Sequence, residues 1–155
     1  MAEIHKILVI DDEEVVRDSC SHILRRPDQI IKTAADGARG LEILGKEHFD
    51  VVILDLNMPI LPGTGVLRRL SEEYPDVVVI VITGYATVDS AVGAMKLGAY
   101  EFIPKPLSPE SLKLSVKKAI EKRRLKMENA APKSHLPLEA KQDIFIGESP
   151  KIMDI

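Results

Sequence analysis

Asp50-Val-Val-Ile-Leu-Asp-Leu-Asn-Met-Pro59 is the stretch on which the reading of this chain turns. Val51–Leu54 is a short, continuous apolar run rich in β-branched residues, the pattern of a strand buried on both faces inside a parallel sheet. The run ends on Asp55, and Pro59, which has no N–H to donate, stops ladder pairing soon after. Ligands of open α/β sheets bind at the carboxyl ends of such strands. Asp55 is therefore either a functional carboxylate or only a turn-forming residue that starts the next loop. The rest of the chain decides between the two.

Working outward, Lys6–Ile10 is a second buried-strand run, and it too ends on acid, Asp11 and Asp12. Glu13 and Glu14 suit the first turn of a helix, whose amino end is positive, and Val16, Cys20, Ile23 and Leu24 follow at helical spacing until Pro27. Cys20 lies on that apolar stripe and reads as a buried structural thiol. Gln29–Ala34 is a short strand, and Asp36-Gly37 turns into a helix carrying Leu41, Ile43 and Leu44. After Asp55, Gly63 and Gly65 open a loop into a helix holding Val66, Leu67 and Leu70, which ends before Pro75. Val77–Ile82 is the fourth strand and terminates on Thr83-Gly84. Val88, Ala91, Val92 and Met95 form the next helical stripe, closed by Gly98. Tyr100–Ile103 is the fifth strand, ending in Pro104-Lys105-Pro106. Ser108 is the expected N-cap of a last helix, with Pro109 at its first position and Leu112, Val116, Ala119 and Ile120 on one face, running to about Met127. Five strands alternating with five helices predict a doubly wound parallel sheet of flavodoxin-like α/β type, strand order 2-1-3-4-5. The strands ending at Asp11-Asp12 and at Asp55 are then neighbours at the switch point.

Composition sets the limits. An apolar fraction of 45% supports a core, and 4% aromatics with no Trp makes it aliphatic. A net charge of -3 gives no overall pull toward nucleic acid or anionic membrane. The single cysteine excludes an internal disulfide, no apolar stretch reaches membrane-spanning length, and Met-Ala-Glu-Ile-His at the start lacks a signal peptide. A cytoplasmic location is expected. Gly40-Leu-Glu-Ile-Leu-Gly-Lys46 has the glycine and lysine spacing of a phosphate-binding P-loop. Glu47, however, stands where that loop needs a Ser or Thr hydroxyl, and no buried strand leads into Gly40. It reads as helix packing.

Strands that flank the switch point each deliver a polar group at the carboxyl end: Asp11 and Asp12, Asp55, Thr83, then Lys105. Crowded carboxylates repel, and a bound divalent cation relieves the repulsion. Oxygen ligands completed by water point to Mg2+, and the scattered His5, His22, His48 and His135 disfavour zinc. A metal beside an ammonium and a hydroxyl makes a place for phosphoryl oxygens, where a carboxylate can act as nucleophile and form an acyl phosphate.

These residues, over about Lys6 to Arg124, resemble the receiver domain of two-component response regulators. The resemblance implies that Asp55 is the phospho-acceptor, that Asp12 ligates Mg2+ directly and Asp11 mainly through water, and that Asn57 contributes its backbone carbonyl. It implies that Lys105 pairs with Asp55 and then with the phosphoryl group, that Thr83 hydrogen-bonds a phosphoryl oxygen, and that Phe102 is the aromatic that changes rotamer with it. A cis Lys105–Pro106 peptide is expected. Thr83-Gly-Tyr-Ala-Thr, Ala91-Val-Gly-Ala-Met, Gly98-Ala-Tyr-Glu-Phe and Lys105-Pro106 are similar to receivers of the nitrogen-regulatory and dicarboxylate-transport type, which control sigma-54-dependent transcription. The partners so implied are a sensor histidine kinase, a second copy of the chain in a homodimer, and ATPase and DNA-binding domains in the full-length protein. Residues 1–125 are the expected receiver and 126–143, with Pro132 and Pro137, a linker. Residues 144–155 resemble the opening of an ATPase domain, so a fragment is expected. Pro62 and Ile60 depart from the family's common Asp and Gly in the loop after Asp55.

Met95, Tyr100, Val116, Ile120 and Met127 are the candidates for a dimer face. The basic run Lys117, Lys118, Lys122–Arg124 and Lys126 reads as a solvated helix face, without nucleic-acid contact. Two rivals remain open at this point. A haloacid-dehalogenase-type phosphohydrolase also uses Asp, Thr, Lys and Mg2+, but its nucleophile precedes its other acids. A pseudo-receiver that only binds partners usually lacks one of the acids or the lysine, and here all are present.

Overall fold

Period-two alternation within apolar strands sends successive side chains to opposite faces, so each central strand feeds two cores. The computed structural model describes residues 4–58, 63–84 and 87–135, apart from the side chains of residues 88 and 126–135. Its elements are β1 (His5–Ile10), α1 (Glu14–Ile23), β2 (Gln29–Ala34), α2 (Gly37–Lys46), β3 (Val51–Asp55), α3 (Gly63–Glu73), β4 (Val78–Thr83), α4 (Val88–Lys96), β5 (Glu101–Pro104) and α5 (Pro109–His135). All strand pairings are parallel, in the order β2-β1-β3-β4-β5, the flavodoxin-like arrangement read from the sequence. Ile7, Val9, Val51, Ile53, Val78, Ile80 and Ile82 pack against Cys20 and Leu24 of the α1 segment and Leu112, Val116 and Ala119 of α5. Leu8, Ile10, Val52, Leu54, Val79 and Val81 face Leu44 of α2, Val66, Leu67 and Leu70 of α3 and Ala94 of α4. β3 and β4 are buried at every position, as continuous apolar runs require.

Several expectations are corrected. Gly63 and Gly65 lie inside α3 rather than in a loop before it. Gly63 sits against the Asp55 carbonyl oxygen and Leu56 Cα, where a Cβ would clash, so α3 starts in close contact with the end of β3. Among the described side chains of α4, Ala94 is the buried one, whereas Val92 and Met95 are 46% and 47% exposed. Thr87 caps α4 in a reciprocal box with Ser90, a start signal not read from the sequence. Val116 is 1% exposed and belongs to the core, so it is not available for a dimer face; Tyr100 and Ile120 are partly buried. Met127 falls outside the described side chains, as do Pro62 and Ile60 outside the described residues. α5 continues past Met127 to His135, through the good helix formers Arg124, Lys126 and Ala130. Gly40 packs on the Ile10 side chain in the middle of α2, in accord with helix packing rather than a P-loop. Contacts divide the chain after Arg123 into the units Met1–Arg123 and Arg124–Ile155.

Candidate functional site

Backbone hydrogen bonds carry the sheet register just past the strand ends and so fix the polar groups there. Asp11 N–H donates to the Ala34 carbonyl (3.2 Å), Leu56 N–H to Ile82 (3.3 Å) and Lys105 N–H to Thr83 (2.9 Å). Asp11 and Thr83 are fully buried and Asp55 is 2% exposed, whereas Asp12 and Asn57 are exposed. One carboxylate oxygen from each of Asp11, Asp12 and Asp55 lies within 4.8 Å of the others. Lys105 Nζ reaches Asp11 Oδ2 at 3.0 Å and Asp55 Oδ2 at 3.4 Å. The Lys105–Pro106 peptide is cis, as expected.

Each carboxylate is held by a local amide. Asp55 Oδ1 accepts from Asn57 N–H (3.1 Å), and Asp11 Oδ1 accepts from Glu13 N–H (2.8 Å). The Asn57 side-chain amide donates to Thr83 Oγ1, so in this state the Thr83 hydroxyl is engaged by Asn57. Phe102 is half-buried, packed on the core face of α2, α3 and α4 and in register with Val81, two residues before Thr83. Met58 and Leu56 pack in the same cluster.

Burial raises the Asp55 carboxyl to about 6, and the nearby Asp11 charge adds to the rise, against the Asn57 amide and Lys105. Burial likewise raises Asp11, opposed by the Glu13 amide and Lys105. Burial pulls the Lys105 ammonium down, but its close contacts with the Asp11 and Glu13 carboxylates outweigh it and hold the group above its ordinary value. The cluster thus carries more negative charge than its one ammonium offsets comfortably.

A hard divalent cation suits this donor set. All the ligand atoms are oxygens, and Asp11 Oδ2 is buried without a hydrogen-bond partner, since Lys105 Nζ pairs with it by charge but off the hydrogen-bond direction. Among the described residues no histidine or cysteine joins the group.

Two groups at the site, and a third at the far end of the sheet, were not read from the sequence. Glu13, assigned to a helical first turn, is instead the residue before α1, and its side chain meets Lys105 Nζ at 3.0 Å. The run of four acids from Asp11 to Glu14 was the available signal; the helix start, one residue later than supposed, hid it. Arg17 Nη1 donates to the Asp11 carbonyl at 2.7 Å, one helical turn into α1. At the opposite end of the sheet, Arg123 is 5% exposed and bound on several sides, which corrects its reading as part of a solvated basic face.

Comparison with known proteins agrees with this architecture. The family model for the response regulator receiver domain matches residues 7–117. A putative NtrX-like response regulator of Rickettsia bellii is 38% identical over 130 residues, covering 83% of this chain and 27% of its own. The C4-dicarboxylate transport transcriptional regulatory protein DctD of Rhizobium meliloti is 30% identical over 150 residues, 97% of this chain and 33% of that protein. Among solved structures, a receiver domain from Clostridium thermocellum superposes with a TM-score of 0.73 at 35% identity, covering 79% of this chain and 98% of that one. NtrX from Brucella abortus gives 0.77 at 32% identity, over 84% of this chain and 30% of its own. The chain spans about a quarter of the length of the first curated relatives it matches, 27% in each case. These relatives include the NtrX-like and dicarboxylate-transport regulators, the kind of receiver that the sequence resembles. With the match covering most of the chain and the sheet, helices and acidic cluster in place, this protein belongs to the response regulator receiver domain family of two-component signalling.

Proposed function

We propose that Asp55 accepts a phosphoryl group from the phosphohistidine of a sensor kinase, and that the modification switches the surface offered to downstream domains. The observation that carries this reading is the convergence on Lys105 Nζ of the buried Asp11 and Asp55 carboxylates, with a third acid, Asp12, beside them. A carboxylate oxygen of Asp55 attacks phosphorus, an O–P bond forms as the N–P bond breaks, and the departing imidazole keeps the electron pair and takes a proton. Lys105 neutralises charge on the transferring oxygens. Asp11, Asp12, Asp55 and the Asn57 backbone carbonyl are the groups that would hold Mg2+, which when bound supplies positive charge to the phosphoryl oxygens. Asp55 gains this role in its ionised form, the form that burial disfavours, so Lys105 and the Asn57 amide keep the nucleophile available.

Thr83 is the group for the new phosphoryl oxygen, on releasing Asn57, and Phe102 is the aromatic that follows it. The α4, β5 and α5 surface then shifts population between two states. Of the dimer-face candidates, the 47%-exposed Met95 and the partly buried Tyr100 and Ile120 retain accessible surface. In this reading the chain has no small-molecule turnover beyond its own phosphorylation and dephosphorylation. Residues 1–125 are the receiver, and 126–143 are a linker whose first part, to His135, is helical. Residues 144–155 lead to an ATPase domain that acts with sigma-54 and is followed by a DNA-binding domain.

Intact-mass spectrometry after incubation with acetyl phosphate and Mg2+ tests the proposal, beside an Asp55→Asn control. One hydroxylamine-labile phosphoryl adduct, dependent on Mg2+ and absent from the control, is the expected outcome. No adduct, together with no response to beryllofluoride, would leave a binding module and end the proposal.

A further inference from the structure

A guanidinium cannot be deprotonated in a protein, so a nearly buried one has to be met by partners on every side. Arg123 is such a group, and its three partners come from two separate segments, the loop before β3 and the loop before β4. Nε donates to Asp50 Oδ1 at 2.6 Å, Nη1 to the Asp76 carbonyl at 2.5 Å, and Nη2 contacts His48 Nε2. Asp50 in turn accepts from Lys6 N–H at 2.9 Å through its other oxygen, which ties the same carboxylate to β1. Asp50 immediately precedes β3, and Asp76 lies two residues before β4. These are the two strands whose opposite ends carry Asp55 and Thr83. Both strands are buried at every position, which makes them stiff connections between the acidic site and the Arg123 contacts. Arg123 is also the last residue of the first compact unit, and α5 continues from it as unbroken helix to His135.

We infer that Arg123 is a positioning residue: through Asp50 and the Asp76 carbonyl it references the middle of α5 to the amino ends of the strands that carry Asp55 and Thr83. The inference rests on the proposed phosphoryl switch, and it names the side chain by which α5 follows that switch. A lysine has neither the planar fork nor the number of donors to replace three contacts that point in different directions.

The test is hydrogen exchange on the 155-residue chain with and without beryllofluoride and Mg2+, for the parent and for Arg123→Met. The parent is expected to change exchange at amides 119–125 by about fivefold or more on activation, the size of a local opening shift. In Arg123→Met that response is lost, while protection in β3 and β4 and the rate of adduct formation by mass stay within about twofold of the parent. Arg123→Lys is expected to behave like the methionine variant. If Arg123→Met fails to fold because Asp50 is left unpaired, the double variant Arg123→Met/Asp50→Asn, which buries no lone charge, carries the same expectation. A response at 119–125 that survives in the variant overturns the inference. So does an adduct-forming parent with no response in α5, and so does a loss of protection spread equally over β3 and β4, which marks a purely structural arginine. Absence of any adduct on the parent is a separate result, read by mass, and removes the switch on which the inference rests.

Discussion

Asp55→Asn should make this protein more stable at neutral pH. The Asp55 carboxyl rises from an ordinary 3.8 to about 6 in the folded chain, chiefly because it is buried. Folding therefore favours the protonated form, and ionisation at neutral pH costs stability. At 1.36 kcal/mol per pH unit the rise corresponds to about 3 kcal/mol at most. The sign follows from linkage. The raised group binds more protons folded than unfolded between the two values, so its penalty is absent below about 4, grows as pH rises through 6, and is constant above about 7. An asparagine keeps an oxygen for the Asn57 N–H, which lies 3.1 Å from Asp55 Oδ1, and loses only the 3.4 Å pairing with Lys105. The net gain is then about 1.5–2.5 kcal/mol at pH 7.5, after subtracting about 0.5–1.5 kcal/mol for that pairing. Urea unfolding in EDTA at pH 4.5, 6 and 7.5 measures it. The variant should unfold at higher urea than the parent at pH 7.5, and the two should converge at pH 4.5. A variant less stable than the parent at pH 7.5 in EDTA, or a difference that does not vary with pH, would refute the reasoning. Such a gain is the expected exchange between stability and a site built to hold reactive charge.

Mg2+ should raise the urea midpoint of the parent, by about 1.4 kcal/mol once its concentration is tenfold above the dissociation constant, and Asp11→Asn should abolish the effect. Gly63→Ala should cost about 1–3 kcal/mol by urea unfolding, because its methyl group meets the Asp55 carbonyl oxygen and Leu56 Cα, which are backbone atoms that cannot swing aside. Adduct formation at Asp55 should slow in the same variant. Lys105→Met removes the cation paired with both Asp11 and Asp55, so the Asp55 carboxyl should titrate above about 6 by carbon-13 NMR, and acetyl phosphate should no longer modify it. Asp36→Ala deletes the cap that accepts from Arg39 N–H at 2.7 Å and should cost about 1 kcal/mol while leaving adduct formation unchanged.

Much of the architecture is legible along the chain because buried parallel strands are continuous apolar runs, and Lys6–Ile10, Val51–Leu54 and Val77–Ile82 are such runs bounded by acids, glycines and prolines. Their order then follows from right-handed crossovers, which place the ends of β1 and β3 side by side and bring Asp11, Asp12, Asp55 and Lys105 together. Helix surfaces were less legible. Val92 and Met95 have the spacing of a packed stripe, yet the smaller Ala94 takes the buried place in α4, since apolar spacing alone does not say which flank of the stripe meets the sheet. Glu13 and Arg123 lay beyond sequence reasoning for a related reason. Each looks like an ordinary charge on a helix, and what distinguishes it is a partner 92 or 73 residues away. Composition and periodicity by themselves determined the sheet, its order and the end at which its acids gather, because those depend on local pattern and on chain handedness. Which charges are paired, how far Asp55 is pushed from its ordinary titration, and where α5 is tied to the strands were decided only by the tertiary structure, because burial and Coulomb interaction depend on distance in space and not along the chain.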